Sequence, residues 1–156
     1  MDARKLKQLA DLAIARRSAD EVAWLVDHAC KSKIHADWVN VFCDLLDEDW
    51  HYSHQDLADT LQDIRDPSAV ACLLRAAQKR HEYLAYDDSY ALAVNCIWAL
   101  HDIGTGAAVQ ALNVLAASDV EIIRDKAKAR IHDLAMRRPD DPVPDYRRHR
   151  DAKVRR

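Results

Sequence analysis

Leu100-His101-Asp102-Ile103-Gly104-Thr105-Gly106-Ala107-Ala108-Val109, followed by Leu112, is the stretch on which the fold turns. It holds both glycines of the chain, and they punctuate a run that is otherwise apolar at helical spacing. A helix from about Asp88 to Ile103 stops there, and another passes through Val109, Leu112 and Leu115. The same arrangement stands 39 residues earlier, where Leu61-Gln62-Asp63-Ile64 is followed by Ala69-Val70 and Leu73. It returns after a further 31 residues as Ile131-His132-Asp133-Leu134. The difference of eight matches the polar, tyrosine-rich segment from Arg80 to Asp88, so the period is that of a helical hairpin with one insertion.

Outward from this repeat the chain continues in the same idiom. Leu6, Leu9, Ala10, Ala13 and Ile14 fall on one side of a first helix from about Asp2 to Arg17. Ser18 or Asp20 caps a second through Val22, Leu25, Val26, Ala29 and Cys30, and a third runs from about His35 to Glu48. A fourth spans about His54 to Ile64, Asp66-Pro67 opens a fifth, and Asp119 opens a final one through Val120, Ile123, Ala127, Ile131 and Leu134. The expectation is an all-α chain of about eight helices, stacked as hairpins into an α-solenoid. Residues 1–138 form one domain, and residues 139–156 a Pro-containing basic tail with too few apolar residues to order itself. In the stack, the recurring Asp63, Asp102 and Asp133 sit near helix C-termini, where a carboxylate opposes the helix dipole. Each is therefore expected to accept hydrogen bonds from a turn or from a neighbouring helix's N-terminus.

Composition removes several function classes. A chain of 156 residues with 49% hydrophobic content supports one core. No GxSxG elbow, phosphate-cradling loop or dinucleotide fingerprint is present, so no catalytic residue is assigned and enzyme activity is not expected. No leader pattern and no long apolar run occurs, which points to a cytoplasmic chain without a membrane span. Cys30, Cys43, Cys72 and Cys96 lie far apart among helical apolar positions and read as reduced core thiols. His51 and His54 with Asp56 and Asp59 are the best metal-ligand grouping, but no second cluster completes a zinc set. Neither a metal nor any other cofactor is expected.

Charge is uneven. Residues 147–156 hold six basic side chains against Asp151, a balance of +5, so the chain's net −3 leaves −8 for residues 1–146. The second helices of the hairpins carry only Arg75 and Lys79, too little for a groove that tracks phosphates. Nucleic acid could be met only through the tail.

The run from Tyr90 to Leu112 resembles the short HEAT repeats also found in phycobilin lyases, and the resemblance extends across residues 53–135. It implies fold and leaves function open, because HEAT proteins include scaffolds, adaptors, inhibitors and a few enzymes. Links between hairpins emerge on one rim of such a stack. The first link is Asp47-Glu48-Asp49-Trp50-His51-Tyr52 and the second is His81-Glu82-Tyr83-Leu84-Ala85-Tyr86-Asp87-Asp88. Together they assign a partner-binding set of Asp49, Trp50, Tyr52, Glu82, Tyr83, Tyr86, Asp87 and Asp88, aromatic anchors among carboxylates. The packing alternative has Tyr83 or Tyr86 folding back as a lid and Trp50 sealing a helix seam. A compact acidic chain of this kind resembles bacterial immunity proteins, which implies binding to a basic toxin domain such as a nuclease; the alternative is an adaptor or assembly factor in a larger complex.

Overall fold

The computed structural model describes residues 1–31, 36–86, 88–138 and 140. The tail expected from residue 139 therefore lies outside the described residues apart from Asp140, as does Asp87 of the assigned partner-binding set. All described secondary structure is helical: α1 (Ala3–Arg16), α2 (Ala19–Lys31), α3 (Val39–Asp47), α4 (His54–Ile64), α5 (Val70–Gln78), α6 (Ala91–Ile103), α7 (Gly106–Leu115) and α8 (Glu121–Met136), with short 3-10 turns before α3, α5 and α6.

Local chemistry explains most of these boundaries. Asp2 Oδ1 accepts the Lys5 N–H at 2.8 Å to cap α1, and Ser18 Oγ accepts that of Glu21 at 3.3 Å to cap α2. Asp66 Oδ1 takes the Ser68 N–H at 2.8 Å ahead of Pro67, and Thr105 Oγ1 takes that of Ala108 at 3.2 Å to cap α7. Gly104 closes α6 with φ 65°, in the left-handed region where glycine alone is unstrained. The equivalent residues closing α1 and α4 are Arg17 and Arg65, at φ 49° and 56°. Three boundaries differ from expectation. α3 begins at Val39, behind the 3-10 turn Ala36–Trp38, instead of near His35. α8 opens after Val120, Asp119 supplying no cap, and α6 begins at Ala91 instead of Asp88 because Tyr90 adopts φ 52° immediately before it.

Packing places the helices in two rows. α1, α3, α5 and α7 touch in succession, as do α2, α4, α6 and α8, while α1 packs on α2, α3 on α4, α5 on α6 and α7 on α8. The expected α4–α5 hairpin is not a packed pair, since α4 and α5 each press chiefly on α6; the segments after α3 and after α5, expected to link separate hairpins, instead join helices that pack on each other. Helix α6 touches α4, α5, α7 and α8, which accounts for its nearly continuous apolar sequence: Leu92, Ala93, Cys96, Ile97, Ala99 and Leu100 are all buried. At the end of the row, α8 buries only Ile123 and Ala127. Burying a leucine or phenylalanine contributes about 1.5–3 kcal/mol, and Trp38, Phe42, Leu45, Leu57, Leu61, Leu73, Ile97, Leu100 and Leu112 are all within 1% of complete burial.

Two expectations are corrected here. Cys43 on α3 and Cys72 on α5 are joined in a disulfide, with their Cα atoms 5.6 Å apart, so the reading of all four cysteines as reduced thiols fails for this pair. Their apolar helical positions face each other across the α3–α5 contact. Cys96 is a free thiol, buried, and burial pushes its pKa up. Two of the recurring aspartates, Asp102 and Asp133, are also satisfied differently from expectation. Asp102 accepts from the Gln62 side chain at 2.6 Å, bridging α6 to α4, and lies 3.0 Å from His101 Nδ1. Asp133 pairs at 2.8 Å with Arg130 of its own helix.

Candidate functional site

The two links, which join α3 to α4 and α5 to α6, converge through an array of histidine rings. His51 and His54 stack at 4.1 Å, and His54 meets His81 of the second link at 3.7 Å. All three rings are buried. The last turn of α3 leaves carbonyls without intrahelical partners, and the first link supplies donors for this end of the helix. His51 Nε2 donates to the Leu45 carbonyl at 2.7 Å, and His54 Nε2 to that of Glu48 at 2.6 Å. The remaining nitrogens act as acceptors: His51 Nδ1 takes the Ser53 N–H at 3.1 Å, and His54 Nδ1 the Tyr83 hydroxyl at 2.8 Å. The His51 and His54 rings are thus each held as the neutral tautomer with the proton on Nε2.

Electrostatics agree with that assignment. Burial lowers the pKa of His54 to about 4, against a smaller raising effect from its bond to Glu48; His51, His81 and Lys79 depress it further. His51 and His81 are lowered for the same leading reason. Tyr83 is pushed up to about 12, again chiefly by burial. The His54–Tyr83 pair is therefore tuned away from neutral pH in both directions, a poor setting for general acid or base work. Among the described residues no group of three His, Cys, Asp or Glu side chains is arranged to hold a metal ion. The His51 and His54 imidazoles lie face to face, with their nitrogens committed to backbone and hydroxyl partners instead of converging on a point.

Ion pairs tie the links to α5. Arg75 grips Asp47 with two bonds of 3.0 and 2.8 Å, and Lys79 Nζ donates to the Asp47 carbonyl at 3.3 Å. Trp50 Nε1 donates to Glu48 at 2.6 Å, and its half-buried ring packs edge-on to His51.

The seven described residues of the assigned set thus divide. The links do meet: Tyr52 and Tyr83 lie edge to face at 5.2 Å. Trp50 packs against the core and Tyr83 is half-buried with its hydroxyl on His54, so these two side chains hold the links in place as the packing alternative described. Tyr52 is 69% exposed and Tyr86 82%. Asp49, Glu82 and Asp88 are exposed as well, Asp88 with a 3.3 Å ion pair to Arg80.

Sequence reasoning passed over the buried role of the histidines. Their spacing, with His51 on one link, His54 at the start of α4 and His81 on the next link, carries that signal only once the links are known to touch. It also passed over Leu12 and Trp24, which remain 45% and 53% exposed on α1 and α2. Comparison with protein-family models, with curated proteins and with solved structures finds no match to this chain.

Proposed function

We propose that the chain is a HEAT-like stack of helical hairpins that works by binding another protein, as an immunity protein covering a basic toxin domain such as a nuclease. The alternation of helices between two touching rows supports the stacked-hairpin reading. One observation carries the binding reading: exposed Tyr52 and Tyr86 stand with Asp49, Glu82 and Asp88 on two links that the His54 ring and the Tyr83 hydroxyl tie together. Side chains mounted on a tied frame lose less conformational freedom on association than those on an untied loop. Tyrosine supplies contact area and carboxylates steer a basic partner. The −8 balance of residues 1–146 favours such a partner over an acidic one.

The adaptor reading draws on a different observation, the exposed Leu12 and Trp24, which offer an apolar patch on α1 and α2 outside the two links. Cytoplasmic placement belongs with the immunity reading. The Cys43–Cys72 bond weighs against it, because disulfides persist mainly in oxidising surroundings.

The test is co-purification with the tagged chain, followed by titration of the purified partner. A Tyr52→Ala, Tyr86→Ala, Asp49→Lys variant should lose a basic partner that the wild type binds and inhibits. Retention of the same partner at unchanged affinity by the variant would remove the links from the interface.

A further inference from the structure

Beyond the link surface, a cavity of about 460 Å³ opens between the end of α5, the second link, the start of α6, the end of α7 and the entry to α8. Its size lies within the range of built ligand sites. Leu84, Leu92, Leu115, Val120 and Ile123 give it an apolar floor. His81 lines it as well; this ring is only 4% exposed, and its Nε2 has no hydrogen-bond partner, so the wall holds a buried polar atom left unsatisfied. A second, more open hollow adjoins the first at Tyr90 and Val120, and it is lined by Asp88, Glu121 and Asp125 against Lys126.

The charges around this groove are not evenly available. Lys79 donates to the Asp47 carbonyl. Arg80 is engaged by Asp88 at 3.3 Å and by the Tyr90 ring, 4.3 Å from its guanidinium carbon. Asp119 and Glu121 are exposed, and Asp125 keeps 62% of its side chain exposed despite a 3.7 Å approach to Arg124. Lys79 and Arg80 are committed within the fold, while Asp119, Glu121 and Asp125 face solvent beside the exposed Lys126, so the groove has an apolar floor and a lip on which carboxylates predominate.

We propose that this groove docks a basic segment of a protein partner, one apolar side chain entering the cavity beside His81 while flanking Lys or Arg side chains meet Asp119, Glu121 and Asp125. The inference rests on the partner-binding reading above and extends it from the two links to the entry of α8. Charge complementarity selects the occupant: an acidic or purely aliphatic segment would leave three carboxylates opposed or unmatched.

The probe is a fluorescein-labelled peptide of sequence Lys-Leu-Lys-Phe-Lys-Lys, titrated by anisotropy beside the peptide with Glu in place of each Lys. The basic peptide is expected to bind and the acidic one not. Asp125→Lys, Glu121→Lys and the cavity-filling Ala117→Trp should each weaken it about tenfold with unchanged thermal unfolding, and raised salt should weaken it for the wild type. Tyr52→Ala should leave peptide binding as it is. Equal binding of both peptides, no binding, or binding indifferent to all three groove variants would overturn the proposal. A peptide lost with Tyr52→Ala and kept by the groove variants would overturn it too, while leaving the link surface as the binding site.

Discussion

His54 and His81 face each other at 3.7 Å, one ring from the start of α4 and the other from the link that follows α5. With the Tyr83 hydroxyl on His54 Nδ1, this contact is what makes two links 29 residues apart into one surface. The arrangement works while the rings are neutral, since each protonation would place charge beside a second imidazole and turn an accepting nitrogen into a donor.

Stability should therefore fall with acid. The pKa values of His51, His54 and His81 are all lowered in the folded chain, that of His54 from 6.5 to about 4. The unfolded state binds more protons in this window, so the contribution is complete above pH ~6.5 and is lost as pH falls toward ~4. Glu48 and Asp49 pull the other way without reversing the shifts. A loss on the order of 2–3 kcal/mol from His54 is expected on this basis. Urea unfolding at pH 7.5 and 4.5 measures it, and an NMR titration of the His54 ring should show no protonation above pH ~5.

Removing the Tyr83 hydroxyl isolates the bond between the links. Tyr83→Phe keeps the ring but leaves His54 Nδ1 without its donor, and should cost about 1–2 kcal/mol. Tyr52→Phe, on an exposed ring, should stay within about 0.5 kcal/mol. Equal effects in thermal unfolding would mean that the hydroxyl does not join the links.

Asp102 is held by Gln62 across the α4–α6 contact and by His101 beside it, with 4% of its side chain exposed. Asp102→Asn removes the charge from two hydrogen bonds in a dry setting and should destabilise by about 1–3 kcal/mol. Asp133→Asn, whose partner lies on its own helix, should cost about 0.5 kcal/mol or less.

The disulfide between Cys43 and Cys72 closes a stretch of 29 residues and joins α3 to α5. Peptide mapping without reductant should recover the linked pair, with Cys96 alkylated only after unfolding. The Cys43→Ala, Cys72→Ala variant should lose about 2–4 kcal/mol relative to the oxidised protein.

Arg65 offers a test in the opposite direction. It closes α4 at φ 56°, a conformation costing a non-glycine residue roughly 1 kcal/mol, and it is exposed. Arg65→Gly should raise stability by about 0.5–1 kcal/mol.

The helices were legible because their signals are local. Leu57 and Leu61, or Leu112 and Leu115, mark a buried face at helical spacing, and Asp66-Pro67 and Gly104-Thr105 mark ends by their own chemistry. The start of α6 was misplaced because Tyr90 takes a left-handed conformation that its residue type does not advertise. The convergence of the links could be read from the repeat, but the direction of each side chain could not. Trp50 and Tyr83 resemble Tyr52 and Tyr86 in sequence; only the histidine array, assembled from residues 51, 54 and 81, decides which aromatic rings turn inward. Cys43 and Cys72 were hidden for a similar reason, each looking like an ordinary apolar position on its own helix.

Partner capture from the native host, quantified by mass spectrometry for the wild type and for the Tyr52→Ala, Tyr86→Ala, Asp49→Lys variant, tests the central claim most directly. The account predicts one basic protein bound to the wild type and depleted about tenfold or more by the variant, in line with the loss of central aromatic and charged contacts. The same proteins recovered equally by both baits would contradict it.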